Sequence, residues 1–186
     1  MKVVYIHGYG GSSSGDTAKG LKTPAERIFG DGAYVALDYP QTTALESYNS
    51  LLGQLQEIVD TGDDVTLIAS SLGGFWGLYF SRYFQIPLVS INPSLQPWKS
   101  LKKYGCKNVN DYRVFGLEVI RDGVQRVTIF GSDDDVVPSY YSRKCYEGKA
   151  LIIDLPMGHR LDPRYYDLVA EQVKNMDDVV AFGLGG

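Results

Sequence analysis

Cysteine and long hydrophobic runs are both scarce in this chain. Its only cysteines, Cys106 and Cys145, lack the paired spacing of a zinc site and the density of a disulfide-stapled fold. No stretch approaches the ~18 consecutive apolar residues of a transmembrane helix, and the apolar residues before His7 are too few for a signal peptide. These absences predict a cytoplasmic protein that does not span a membrane.

Basic charge is scarce as well. The 186 residues include 18 Lys and Arg against 22 Asp and Glu, which gives a net charge of -4, and the chain has no long run of Lys or Arg. Because phosphate backbones and anionic lipids are held by clusters of basic residues, we expect neither a nucleic-acid nor a membrane partner. The pattern carries no information on the oligomeric state.

Two kinds of apolar segment alternate along the chain. Short runs rich in β-branched and aromatic residues predict strands at residues 3–6, 33–37, 65–69, 88–91, 127–130 and 151–153. Helical patterns cover residues 17–29, with an interruption at Pro24, then 45–61 and 72–84, and Asp162 with Pro163 starts a last helix. This alternation predicts an α/β fold whose central sheet is mostly parallel and is covered by helices on both faces. Ligands of such sheets bind beyond the carboxyl ends of the strands.

One connection is unusually long. Residues 92–125 exceed the usual length of a loop, and connections of this kind contain small helices or a functional segment. We expect a single domain over residues 1–186, in which 93–125 hold small helices or form a small cap over the site.

A serine follows the third predicted strand in a pattern typical of a nucleophile elbow. Ser71 has small residues two positions before and after it, Ala69 and Gly73, as a sharp turn from strand to helix requires. Ala69 occupies a position that is usually glycine. Ser70 has bulky residues at the equivalent positions. We therefore predict Ser71 as the nucleophile of a covalent mechanism.

Only two histidines, His7 and His159, could activate this serine. In folds with a nucleophile elbow the catalytic residues follow the order Ser, acid, His, and His159 lies after the last predicted strand. We predict His159 as the base. His7 ends the first strand, where we expect it to support the following loop together with Gly8 and Gly10.

The acid is expected after the fifth strand, where three aspartates stand in a row. Aligning residues 131–138 on the pattern Gly-x-x-Asp-x-x-Val-Pro selects Asp134. Its carboxylate would accept the second ring N–H of His159. Asp133 and Asp135 remain alternatives.

A tetrahedral oxyanion needs backbone N–H donors. We expect one from Leu72, directly after the nucleophile at a helix start. We expect the other from Tyr9 in the glycine-rich loop after the first strand, and Gly10 is the alternative. A phosphate-binding loop is the rival interpretation of this segment, but the Lys-Ser/Thr ending of such loops is absent.

Four motifs together resemble the YqiA-like family of small bacterial esterases: residues 70–75, residues 91–94 with Pro97, residues 5–9, and Gly158-His159. The resemblance spans most of the chain. It implies a compact α/β-hydrolase fold and a cofactor-free, cytoplasmic carboxylesterase acting on short acyl chains. The chain departs from the family at the acid, where three aspartates stand in place of a Gly-Asp-Glu step. That departure keeps Asp133 and Asp135 as alternatives to Asp134.

These residues predict acyl transfer from a small-molecule ester through an acyl-enzyme intermediate, without a metal or cofactor. A thioesterase, acyltransferase or peptidase could use the same residues, and a catalytically idle, hydrolase-like module that binds another protein is a different class. We expect the acyl pocket to use aromatic residues close in sequence to the elbow and the long connection, namely Phe75, Trp98 and Tyr104.

Overall fold

The computed structural model describes residues 1–116 and 123–183. Within them six strands form one sheet: β1 (Lys2–Ile6), β2 (Tyr34–Leu37), β3 (Val65–Ser70), β4 (Leu88–Ile91), β5 (Arg126–Gly131) and β6 (Leu151–Leu155). Neighbouring strands are parallel throughout, in the order β2-β1-β3-β4-β5-β6. The parallel sheet predicted from the alternation of elements is confirmed.

The helices that accompany these strands are α1 (Asp16–Phe29), α2 (Ala44–Val59), α3 (Leu72–Phe84), α4 (Pro97–Ser100), α5 (Ser139–Tyr146) and α6 (Tyr166–Gly183). The predicted interruption of the first helix at Pro24 is wrong. Pro24 lies inside a continuous α1, where it is buried with Leu21 and Ala25. Burial of this face stabilises the helix despite the missing N–H donor, because tertiary packing outweighs local propensity.

The last helix starts close to its predicted position. The Asp162 carboxylate accepts the N–H of Arg164 at 3.0 Å and caps a 3-10 turn, Pro163–Tyr165, that leads directly into α6. None of the helices in the described ranges combines the length and the apolar character needed to cross a membrane.

Each face of the sheet has its own hydrophobic core, because successive side chains of a strand point to opposite faces. Val4 and Ile6 of β1 belong to a core shared with α2 and α3, and Val3 and Tyr5 belong to a core shared with α1 and α6. We call these sides the α2/α3 face and the α1/α6 face.

Helix α3 is apolar almost all round because it lies in the centre of the α2/α3 face. Phe75, Trp76 and Phe80 have no exposed surface. Their rings pack in edge-on and tilted pairs, with centroids 5.0 Å apart for Phe75 and Trp76 and 5.7 Å apart for Trp76 and Tyr112. The aromatic content of this helix therefore stabilises the fold.

The long connection after β4 contains small helices as far as it is described. After α4 come two 3-10 helices, Lys102–Tyr104 and Val109–Phe115. Tyr112 and Phe115 of the second one pack on Trp76, with centroids at 5.7 and 5.2 Å, so this part covers the α2/α3 face. Residues 117–122 of the predicted cap, 93–125, lie outside the described residues. A cap over the site and a single domain both remain predictions.

Candidate active site

The turn between β3 and α3 has the geometry of a nucleophile elbow. Ser71 stands between the two elements with φ 54° and ψ -118°, a strained conformation for a residue with a side chain. The backbone of β1 runs directly beside the turn, because a Cβ atom on Gly73 would lie 2.2 Å from the Ile6 carbonyl oxygen. Only glycine fits at position 73, which is the physical reason for the small residue in the sequence pattern.

Three side chains form a hydrogen-bonded chain at this turn. His159 Nε2 lies 2.9 Å from Ser71 Oγ, and His159 Nδ1 lies 2.9 Å from Asp134 Oδ2. Nδ1–H donates to the carboxylate, which leaves Nε2 as the acceptor for the Ser71 hydroxyl proton. The structure thus brings the predicted nucleophile, base and acid together in the arrangement that activates a serine.

Burial and hydrogen bonding set Asp134 apart from its two neighbours. Its side chain is 4% exposed, and its Oδ1 accepts two backbone N–H groups at 2.8 and 3.0 Å. Burial acts to raise the pKa of Asp134, but the hydrogen bonds from His159 and from these N–H groups outweigh burial and hold the pKa below its ordinary value. Asp133 and Asp135 are exposed. Among the described residues, neither forms a hydrogen bond with His159.

The backbone N–H groups of Leu72 and Tyr9 are the predicted oxyanion donors. Leu72 is the first residue of α3, so its N–H has no acceptor within the helix. Gly8 brings the loop after β1 against the elbow, because a Cβ atom on it would lie 2.9 Å from the nucleophile's Cβ. In that loop the Gly10 N–H donates to Gln41 Oε1 at 2.7 Å, whereas the Tyr9 N–H has no acceptor in the part of the chain that is described. Of these two residues, Tyr9 is therefore the one whose backbone N–H is free to bind an oxyanion.

His7 supports the loop after β1 from inside the protein. Its ring is buried, stacks on Tyr39 with centroids 4.6 Å apart, and donates from Nδ1 to the Gly8 carbonyl at 2.8 Å. The Tyr39 hydroxyl donates to the His7 carbonyl at 2.8 Å, and Gln41 donates to the Gly8 carbonyl at 3.0 Å. Burial lowers the pKa of His7. His7 thus belongs to the scaffold of this loop.

Asn92 holds the loop of Asp134 and the loop of His159 at the end of β4, a role that the sequence reasoning missed. Its Nδ2 donates to the carbonyl oxygens of Gly158 and His159 at 3.1 and 2.9 Å, and its Oδ1 accepts the Gly131 N–H at 2.7 Å. Asn92 is 2% exposed and has φ 43°. Asparagine is one of the few side chains that adopt this backbone conformation readily, so the Asn-Pro step after a strand was the available signal.

A comparison with models of protein families identifies the family of this chain. Residues 2–151 match the model of a family described as Uncharacterised protein family (UPF0227). The chain belongs to this family. The resemblance to the YqiA-like group is thereby confirmed at the level of the family.

Solved structures show the fold of this UPF0227 member in other proteins. Alpha/beta hydrolase domain-containing protein 10 from mouse matches with a TM-score of 0.81 and 16% identity, covering 96% of this chain and 90% of that one. A putative hydrolase from Agrobacterium vitis S4 has a TM-score of 0.79 and 16% identity over 94% and 87% of the two chains. An esterase/lipase from an uncultured bacterium has a TM-score of 0.69 and 16% identity over 94% and 76%. The α/β-hydrolase fold is confirmed.

A cavity of about 630 Å³ opens beside Ser71. It lies on the α1/α6 face, between the loop after β1 and the loop that carries His159. Its lining consists of residues 7–12 and 15–18, residues 157–163, and Tyr5, Ser70, Ser71 and Tyr166. Its volume is in the range of small-molecule sites.

The aromatic residues predicted for the acyl pocket do not line this cavity. Phe75 is fully buried on the α2/α3 face, against Trp76. Trp98 lies under the Arg113 guanidinium, 5.4 Å from its ring centroid, and Tyr104 is 48% exposed. Closeness in sequence to the elbow does not bring Phe75 to the cavity, because α3 directs this side chain into the core on the α2/α3 face. An acyl pocket that uses Trp98 or Tyr104 remains a prediction.

Proposed function

We propose that this protein is a serine hydrolase that cleaves carboxylic esters of short acyl chains through an acyl-enzyme intermediate. The observation that carries the proposal is the continuous chain from Asp134 through His159 to Ser71, with both contacts at 2.9 Å. A buried, hydrogen-bonded carboxylate holds the imidazole in the tautomer that can accept a proton from the serine. No metal or cofactor is required for this chemistry.

In the acylation step, Ser71 Oγ attacks the ester carbonyl carbon while His159 Nε2 takes the hydroxyl proton. The carbonyl oxygen becomes an oxyanion, which the N–H groups of Tyr9 and Leu72 stabilise. The bond between the carbonyl carbon and the ester oxygen then breaks, and His159 returns the proton to the departing alkoxide. In the second step water gives a proton to His159, attacks the acyl-enzyme and releases the acid, and Ser71 regains its proton.

The comparisons support an ester as the substrate class. Besides the esterase/lipase from an uncultured bacterium, the structural neighbours include a protein from a study of two lipolytic enzymes, LipS and LipT, at 14% identity, and Est1E from Butyrivibrio proteoclasticus with ferulic acid bound, at 17% identity. We propose the cytoplasm as the compartment, which the two free cysteines, Cys106 and Cys145, support.

The test is hydrolysis of p-nitrophenyl acetate and butyrate by the wild type and by Ser71→Ala. We expect measurable turnover by the wild type and a loss of at least about a thousand-fold in kcat for Ser71→Ala, since the residual rate comes only from substrate binding and the oxyanion donors. Absence of turnover by the folded wild type would contradict the proposal and favour a hydrolase-like binding module.

A further inference from the structure

Four hydroxyl groups lie together on the α1/α6 side of the cavity. They belong to Tyr5 near the end of β1, Ser70 at the end of β3, Thr17 in the first turn of α1 and Tyr166 at the start of α6, and all of these residues line the cavity. We call this group the hydroxyl wall. The Tyr5 hydroxyl lies 2.8 Å from Ser70 Oγ. The Thr17 hydroxyl lies beside both phenols, where it partly offsets the rise in the pKa of Tyr5 and of Tyr166.

The position of Tyr166 depends on a glycine in the neighbouring helix. A Cβ atom on Gly20 of α1 would lie 2.1 Å from Tyr166 Cε2, far closer than two carbon atoms can approach. Glycine inside a helix is less favourable than alanine. The tyrosine ring is therefore seated against α1 at a position where any larger residue would require the ring to move.

The phenols of the wall remain neutral. Burial raises the pKa of Tyr5 to about 12. Burial also raises the pKa of Tyr166, and the carboxylates of Asp16 and Asp162 add to this rise. Each hydroxyl can therefore donate one hydrogen bond and accept others near neutral pH.

The charges around the wall have both signs. Asp16, Arg160 and Asp162 line the same cavity, and Asp162 forms an ion pair with Arg164 at 3.1 Å. This surface lacks the excess of positive charge that would attract an anionic substrate. An alkyl chain placed against it would displace water and leave part of the hydrogen-bonding capacity of these hydroxyls unused, which is unfavourable. A neutral group with hydroxyls of its own supplies partners for both the hydroxyls and the carboxylates.

We propose that the hydroxyl wall binds a neutral, hydroxyl-bearing part of the ester, so that the protein prefers esters of polyols or of hydroxy acids to esters made only of alkyl groups. The proposal rests on the esterase function proposed above. The chemistry is the same whether the hydroxyls belong to the alcohol or to the acyl group, and the experiment distinguishes the two.

The experiment uses two matched pairs of substrates, followed by acid release at constant pH. Glycerol monobutyrate and propyl butyrate differ only by two hydroxyls on the alcohol side, and methyl 3-hydroxybutyrate and methyl butyrate differ by one hydroxyl on the acyl side. We expect kcat/KM to be higher for the hydroxylated member of at least one pair. The ratio within that pair should fall about 3- to 10-fold in Tyr166→Phe and in Thr17→Val, since each removes one hydrogen-bonding hydroxyl.

Two further variants separate the proposed contact from a general disturbance. Gly20→Ala should lower the same ratio, because it displaces the Tyr166 ring while leaving every hydroxyl of the wall in the sequence. Tyr165→Phe is the matched control, because Tyr165 does not line the cavity, and its ratio should equal that of the wild type. If p-nitrophenyl butyrate is hydrolysed but both ratios are one or lower and Tyr166→Phe does not change them, this proposal is overturned and the esterase function stands. If no ester is hydrolysed, the esterase function itself fails.

Discussion

The two faces of the sheet are packed with different kinds of side chain. On the α2/α3 face, large aromatic rings such as Phe75 and Trp76 are fully buried against one another. On the α1/α6 face the core is mostly aliphatic, as with Leu21 and Val173, and two of its tyrosines, Tyr5 and Tyr166, line the cavity. The cavity beside Ser71 lies on this second face.

This difference teaches that aromatic content beside a nucleophile elbow does not mark the substrate pocket. The rings of α3 stabilise the helix that follows Ser71, and we propose that substrate selection falls to the smaller polar groups on the α1/α6 face. Substitutions of Ser71, His159 or Asp134 should therefore reduce activity and leave stability largely unchanged. Substitutions in the aromatic core should reduce stability and leave substrate preference largely unchanged.

The largest expected effect is a loss of activity when the hydrogen-bonded group of Ser71, His159 and Asp134 is changed. Asp134→Asn should lower kcat by about 10⁴-fold, because an amide in place of the carboxylate no longer holds His159 in the correct tautomer or stabilises its charged form. Asp133→Asn and Asp135→Asn are matched controls, exposed and one position away, and should stay within about threefold of the wild type. A comparable loss in either control would assign the acid to that residue instead.

The next effect is on the aromatic core. Phe75→Ala should lower the free energy of unfolding by about 3–5 kcal/mol, since it removes a fully buried ring. Urea denaturation measures this loss. Tyr104→Ala, which truncates an exposed ring, should change stability by no more than about 0.5 kcal/mol. A change in acyl-chain preference in Phe75→Ala without a loss of stability would restore the aromatic pocket and contradict the comparison of the two faces.

Asn92 should show a mixed effect, because it lies at the end of the sheet where the loops of the site meet. Asn92→Gly keeps the positive φ accessible but removes three hydrogen bonds, so we expect a loss of about 1–3 kcal/mol in stability. Because the His159 and Asp134 loops lose their common support, kcat should fall about tenfold with little change in KM. An equal loss of stability without a fall in kcat would make Asn92 a structural residue only. Asn92→Ala should be less stable than Asn92→Gly, since alanine is strained at this φ.

The smallest expected effect is the pH dependence contributed by His7. Burial lowers the pKa of His7 from its ordinary value of 6.5, so the unfolded chain takes up this proton first as the pH falls. The contribution of His7 to stability is therefore fully present above pH 6.5 and is lost as the pH falls from 6.5 toward the lowered folded pKa. His7→Asn keeps a donor for the Gly8 carbonyl and does not titrate, so its stability should decline less over this interval in thermal melts. Identical pH profiles of the two proteins would contradict a buried, neutral His7.

The spacing of residues within a single loop was sufficient to predict the positions of the candidate nucleophile, base and acid. The elbow at Ser71, the histidine after the last strand and the position of Asp134 all depend on a few consecutive residues next to a strand end. The strands were predicted because buried parallel strands leave short β-branched runs in the sequence. Pro24 was misjudged because local propensity does not report tertiary packing.

The remaining features depend on convergence of distant segments. Tyr5, Thr17 and Tyr166 meet only because α1 and α6 pack on the same face beside β1. The need for a glycine at position 20 arises only because the Tyr166 ring lies against it. The three bonds of Asn92 reach residues about 40 to 70 positions away in the chain. No period or short motif encodes such contacts.

The most direct test of the account is reaction with a fluorophosphonate, followed by mass spectrometry of the peptides. We expect one phosphonylated residue, Ser71, because among the described residues its hydroxyl is the one paired with His159 Nε2. Labelling should be lost in Ser71→Ala and kept in Ser70→Ala, whose hydroxyl pairs with Tyr5 instead. Phosphonylation of Ser70, or no labelling of the folded wild type, would contradict the central claim.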